Sequence, residues 1–219
     1  MSRSAGQPIR IANCSGFFGD RLAAAKEMVE GGPIDALTGD WLAELTMLIL
    51  SRIQAKAPGR GYARTFVTQM EDVMGECLDK GIKVVSNAGG LNPEACADAV
   101  QEVADRFGLH PTIAYVAGDD LSDRLPDLIA AGTDFAHLDT GQPLGDLADR
   151  IVTANAYIGC WGIVEALNQG ADIVITGRAT DAAVVAGPAA WYHGWGREDW
   201  DPLAGAIVAG HVIECGGQA

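Results

Sequence analysis

Four short apolar runs in this 219-residue chain each begin just after glycines that close a helical stretch. Gly31-Gly32-Pro33 leads into Ile34–Thr38, Gly81 into Lys83–Ser86, Gly108 into Thr112–Ala117, and Gly170 into Asp172–Thr176. Glycine just past a helix and proline beyond it are ordinary stop signals. A chain that goes strand, helix, stop and strand again cannot build hairpins. Each strand must return parallel to the last, with a helix as the crossover. Counting Ile9–Cys14 and an extended stretch at Ile151–Tyr157, the alternation runs through roughly six units. We expect an α/β fold: a mainly parallel sheet with helices on both faces, open, doubly wound and Rossmann-like. A closed barrel fits less well, because the strands fall short of the eight it needs and are unevenly spaced.

The helices follow the same logic. Apolar positions at helical spacing predict helices from Asp20 to Glu30, Trp41 to Ala57, Thr65 to Lys80, Leu121 to Ala131 and Gly159 to Gln169. Asn92 before Pro93 predicts a capped start for the helix that runs to Phe107. Past Thr176, a helix of small residues is expected to be interrupted at Gly187-Pro188. Residues 1–8 read as a flexible lead-in and 9–219 as a single α/β domain.

Composition removes several classes of function. With 15 basic against 29 acidic residues the formal net charge is −14. Such a surface repels phosphate backbones and anionic lipid, so nucleic-acid and membrane partners are not expected. The apolar runs are broken by Gly, Asp or Arg and fall short of a spanning helix, and the polar start has no signal-peptide core. Five scattered cysteines with no CxxC pair argue against a disulfide scaffold or structural zinc, and for a reducing, cytoplasmic setting. The four histidines have no metal-ligand spacing. His193, among Trp191, Trp195 and Trp200, either lines an apolar pocket or joins a packed aromatic cluster. No metal is expected, and the sequence names no cofactor.

The strand-to-helix joints are rich in Gly, Asn, Asp, Thr and Arg, whereas the helix-to-strand joints are terse. In a parallel sheet the former all lie at the carboxyl edge, where open α/β folds bind ligands. The candidates come from these loops. Arg21, Asn87 and Arg178, with the amides of Gly89 and Gly90, would hold an anionic or carbonyl oxygen. Asp20, Asp40, Asp119 or Asp181 would move protons. Each loop has a plainer reading, as an ordinary turn or helix cap. Arg21 could form a surface salt bridge and Asp20 a helix cap. Asp119-Asp120 could be a cap rather than a base or a metal-holding pair, and Arg178 and Asp181 could pair with each other. No GxGxxG, Walker loop, GxSxG or HExxH is present.

Several blocks resemble one family, the acyclic terpene utilisation proteins of the AtuA type. They are NCSGFFGDR from Asn13, GGPIDALTGDWLAELTM from Gly31, KVVSNAGGLNP from Lys83, ANAYIGCWGI from Ala154, DIVITGRATDAA from Asp172 and GHVIECGGQA from Gly210. They match in order over nearly the whole chain. The resemblance implies a catabolic setting, the breakdown of citronellol- or geraniol-like terpenes and related branched acids through CoA thioesters. It carries over no catalytic residue. The expected substrate is thus a branched acyl, carboxylate or acyl-CoA compound. Family members usually continue past the GHVIECGGQA block, commonly into a Thr-Gly-Gly segment. The resemblance therefore implies completion by a further domain or partner chain. It also leaves open a self-cleaved hydrolase or acyltransferase whose partner begins with a nucleophilic Thr. A non-catalytic binding or scaffolding subunit is the remaining alternative. The apolar run Leu203–Cys215 is expected to meet a second protein chain or another copy, through residues 203–219.

Overall fold

The computed structural model describes residues 7–218; the first six residues of the expected lead-in lie outside it. Five strands of the described residues, β1 (Ile11–Asn13), β2 (Ala36–Gly39), β3 (Lys83–Ser86), β4 (Ile113–Val116) and β5 (Ile173–Thr176), form one open sheet in the order β1-β2-β3-β5-β4. Every pairing is parallel. The fold is α/β and the sheet does not close. The extended reading of Ile151–Tyr157 fails. That segment makes only isolated bridges, Asp120 with Asn155 and Ile158 with Ala179. Its backbone groups bond to loops at the carboxyl edge.

Side chains alternate across the sheet as strand geometry requires. Leu37, Val84, Ile173 and Ile175 pack on one face beneath α1 (Ala24–Gly31), α2 (Glu44–Lys56), α3 (Arg64–Lys80) and α4 (Pro93–Phe107). Val85 and Val174 pack on the other, beneath α6 (Trp161–Asn168), α7 (Ala183–His193) and α8 (Trp200–Ile213). The short α5 (Leu125–Ala130) follows a 3₁₀ turn at Ser122–Arg124. The chain crosses β1, β2 and β3 in one direction, jumps to the edge at β4, and returns to β5 between them. With crossovers of fixed hand, that reversal puts the later helices on the opposite face.

Several helix ends differ from expectation. The first helix starts at Ala24, because Asp20 turns back to accept from the Gly16 N–H at 3.0 Å and the Arg21 N–H at 2.7 Å. The second starts at Glu44. Trp41 is instead buried edge-on against Phe66, with ring centroids 5.3 Å apart, and its ring occupies the space beside Gly39. α7 runs unbroken through Gly187-Pro188. A Cβ on Gly187 would meet Ile163 at 2.6 Å, so the small residues let α6 and α7 pack closely. Tertiary burial offsets the local preference of Pro for breaking a helix. Asn92 caps α4 as expected, accepting from the Ala95 N–H. His193 stacks on Trp195 and meets Tyr192 edge-on, which decides for the packed aromatic cluster; Trp200 stays exposed.

Candidate functional site

β3 and β5 are neighbours, yet β3 exits toward α4 on one face and β5 toward α7 on the other. The divergence opens a crevice at the carboxyl edge, the usual ligand position in such sheets. The exits of β2, β3 and β5 converge there. Asp40, at the end of β2, is 3% exposed. Its Oδ1 accepts from the Asn87 Nδ2 at 2.5 Å and from the Leu42 N–H at 3.0 Å. Asn87 is fixed in turn, because its Oδ1 accepts from the Trp41 N–H at 2.8 Å. Asn87 thereby clamps the loop after β2 to the loop after β3.

Asp40 meets two more carboxylates. Asp181, from the loop after β5, and Glu214, from the turn after α8, present oxygens within 4.8 Å of one another and of Asp40. Burial, with a hydrogen bond to Glu214 and the nearby charge of Asp181 adding to it, pushes Asp40 up from 3.8 to about 8. Asn87 and the Leu42 amide oppose the rise without cancelling it. Like charges this close cannot all ionise in a desolvated site. A proton on Asp40 shared with Glu214 relieves the repulsion. The same oxygen set has the donor chemistry of a divalent-cation site.

Arg178 lies alongside, 4% exposed. Its guanidinium donates to Asp181 at 2.8 Å and to the Ala179 carbonyl at 3.2 Å, and its Cζ sits 4.0 Å from the centroid of the Tyr157 ring. The internal pair is therefore formed. Tyr157 donates to Glu44. Glu44, Met47, Thr153, Asn155, Tyr157 and Arg178 line a cavity of about 120 Å³. The buried guanidinium thus has one end on the carboxylate cluster and one edge on open space.

A family model, that of the acyclic terpene utilisation family protein AtuA, matches residues 9–219. The chain belongs to that family. No curated protein and no solved structure matches it. Among the described residues of this AtuA-family chain, no helix is long and apolar enough to cross a membrane.

The other expected site residues fall into different places. Asp119 accepts from the Arg178 backbone N–H at 2.8 Å and from the Asn155 Nδ2 at 2.9 Å. Burial raises it. Both bonds go to one oxygen and fix the loop after β5, so Asp119 sets the position of Arg178. A Cβ on Gly177 would lie 2.3 Å from its carboxylate, which explains that glycine. Gly89 and Gly90 are buried, and Gly90 borders a further cavity of about 270 Å³ together with Asp119 and Asn155. A Cβ on Gly89 would meet the Thr176 carbonyl at 2.5 Å. Gly90 has φ +55°, donates to the Asn87 carbonyl, and abuts Gly61. Both glycines allow close backbone packing here. Arg21 is exposed and pairs with Glu27, away from the Asp40 cluster. Together with Asp20 it borders a separate cavity of about 320 Å³ beside Gly216.

Sequence reasoning missed Glu214, Tyr157, Glu44 and Asn13. Asn13 Nδ2 donates to the Glu214 carbonyl at 2.8 Å and ties the turn after α8 to the β1 exit. A signal for Glu214 existed: it is the lone carboxylate in the apolar run Leu203–Cys215. The cysteines behave as small hydrophobes. Burial pushes Cys14 and Cys77 up to about 12, so neither thiol is a nucleophile near neutral pH.

Proposed function

We propose that this AtuA-family chain supplies the acid–base centre of a catabolic enzyme acting on a branched acyl, carboxylate or acyl-CoA substrate in acyclic terpene breakdown. The observation that carries the reading is Asp40: a buried carboxyl at the β2 exit, held by Asn87 from the β3 exit and raised to about 8. A group poised near the working pH can both give and take a proton. Glu214 shares that proton, and Asn87 fixes the orientation of the carboxyl. Arg178, backed by Asp119 and Tyr157, balances the charge of Asp181 and offers its open edge to a carbonyl or carboxylate oxygen. Family membership supports the terpene setting; the acyl chemistry rests on the pairing of a poised carboxyl with a guanidinium.

The test is incubation with CoA thioesters of citronellol- and geraniol-type acids and with the free acids, read by mass spectrometry. Turnover by the wild type, with a pH limb near 8 that Asp40→Asn lacks, is the expected result. Binding without turnover would move the reading to a scaffolding subunit. Neither binding nor turnover would overturn it.

A further inference from the structure

Another polar cavity lies outside the Asp40 cluster, in the groove between α3 and α4. Its volume is about 400 Å³, and its charged and polar lining includes Arg60, Tyr62, Arg64 and Arg106 with Glu71 and Glu102. Three of the chain's 15 cationic side chains meet here, although the net charge is −14. Arg106 is bound to Glu71 at 2.5 Å. Among the described residues neither the Arg60 nor the Arg64 guanidinium has an ion-pair partner, although Glu102 borders the same space.

The local sequence leaves the positive charge here without an offsetting acidic residue in the first turn of α3. Arg64 is the first residue of the 17-residue α3, where a positive charge opposes the helix dipole. The first turn holds no acidic residue, and Ala63 gives no side-chain cap. The loop carrying Arg60 and Tyr62 is held in place by backbone and side-chain bonds to the β3 exit. The Leu91 N–H donates to the Gly61 carbonyl at 2.8 Å, the Ala63 N–H to the Ala88 carbonyl at 2.8 Å, and the Asn92 Nδ2 to the Arg60 carbonyl. Arg60 therefore projects from a fixed backbone. Tyr62 is 8% exposed and brings a phenol to the wall.

We propose that this cavity is a binding site for the phosphate groups of a small molecule, gripped by Arg60 and Arg64. Planar guanidinium forks match phosphate oxygens in bidentate fashion. The volume exceeds what a single phosphate fills and leaves room for a diphosphate and part of its organic group. The site shares no residue with the Asp40 cluster, so the two readings stand or fall separately.

The experiment is isothermal titration of the whole chain, at low ionic strength in a phosphate-free buffer, with inorganic phosphate, pyrophosphate and ADP as probes. Saturable binding of pyrophosphate or ADP is expected. Arg60→Ala combined with Arg64→Ala should weaken it by roughly tenfold or more, as loss of charge-assisted bonds does. Arg124→Ala, on the 3₁₀ turn before α5, should leave it unchanged. ADP binding more tightly than pyrophosphate identifies a nucleotide-like ligand, and equal affinities identify the phosphates alone as the recognised group. Arg64→Ala by itself, at an exposed position, serves if the double variant does not fold. No saturable binding of any probe at millimolar concentration would overturn the proposal, as would equal affinity in the arginine variants.

Discussion

Replacing Asp40 by asparagine should remove a pH dependence from the folding equilibrium. The amide reproduces the protonated carboxyl. Its oxygen can accept from Asn87 and the Leu42 amide, and its NH₂ can donate to Glu214, as the Asp40 proton does. In the wild type the folded state keeps a proton on Asp40 at pH values where the unfolded chain has lost it. Stability linked to that proton is complete below the unfolded value of 3.8 and is lost as the pH climbs to about 8. At about 1.4 kcal/mol per unit, the loss between pH 5 and 8 reaches at most about 4 kcal/mol. Urea denaturation of both proteins across that range measures it. The wild type should lose stability relative to Asp40→Asn at each step upward, so the variant becomes the more stable at pH 8. Parallel stability curves for the two would refute a buried, proton-holding Asp40.

Three other outcomes follow from the packing. Gly177→Ala should displace the Asp119 carboxylate, whose oxygen lies 2.3 Å from the new methyl position, and cost about 1–3 kcal/mol by chemical denaturation. Asn87→Ala removes a donor to Asp40 and an acceptor from the Trp41 N–H, both buried. A loss of about 2–3 kcal/mol is expected, read as a lower unfolding midpoint. Trp200, Val208 and Val212 lie on the outward side of α8 and are exposed. If that stripe meets another copy, Val208→Glu with Val212→Glu should lower the sedimentation coefficient; no change would exclude self-association there.

The sheet was largely legible because each strand is a short apolar run bounded by glycine, and burial on both faces demands such runs. Thus Lys83–Ser86 was placed to the residue, and β2, β4 and β5 to within two residues at each end. Ile151–Tyr157 misled because its alternation serves a loop that packs against the β5 exit. The start of α1 was hidden because Asp20 folds back onto the amides of Gly16 and Arg21, and that of α2 because Trp41 packs against Phe66; helical spacing encodes neither. At the site, Asp40, Asn87, Asp181 and Arg178 were legible as polar residues at strand exits, which topology brings to one edge. Gly89 and Gly90 sit in the same loops and allow close backbone packing, a demand that no spacing rule separates from that of an amide cradle. Glu214 comes from the opposite end of the chain from Asn13, the residue that holds it. Pairing them required the folded β1 exit.

The most direct test of the acid–base centre is a carbon-13 NMR titration of aspartate-labelled protein, wild type against Asp40→Asn. It should be run with and without a branched-chain carboxylate. The expected spectrum has one carboxyl with a midpoint near 8 that disappears in the variant and shifts on addition of the ligand. If every wild-type aspartate titrates in the ordinary carboxylate range and none responds to the ligand, the centre proposed at Asp40 does not exist.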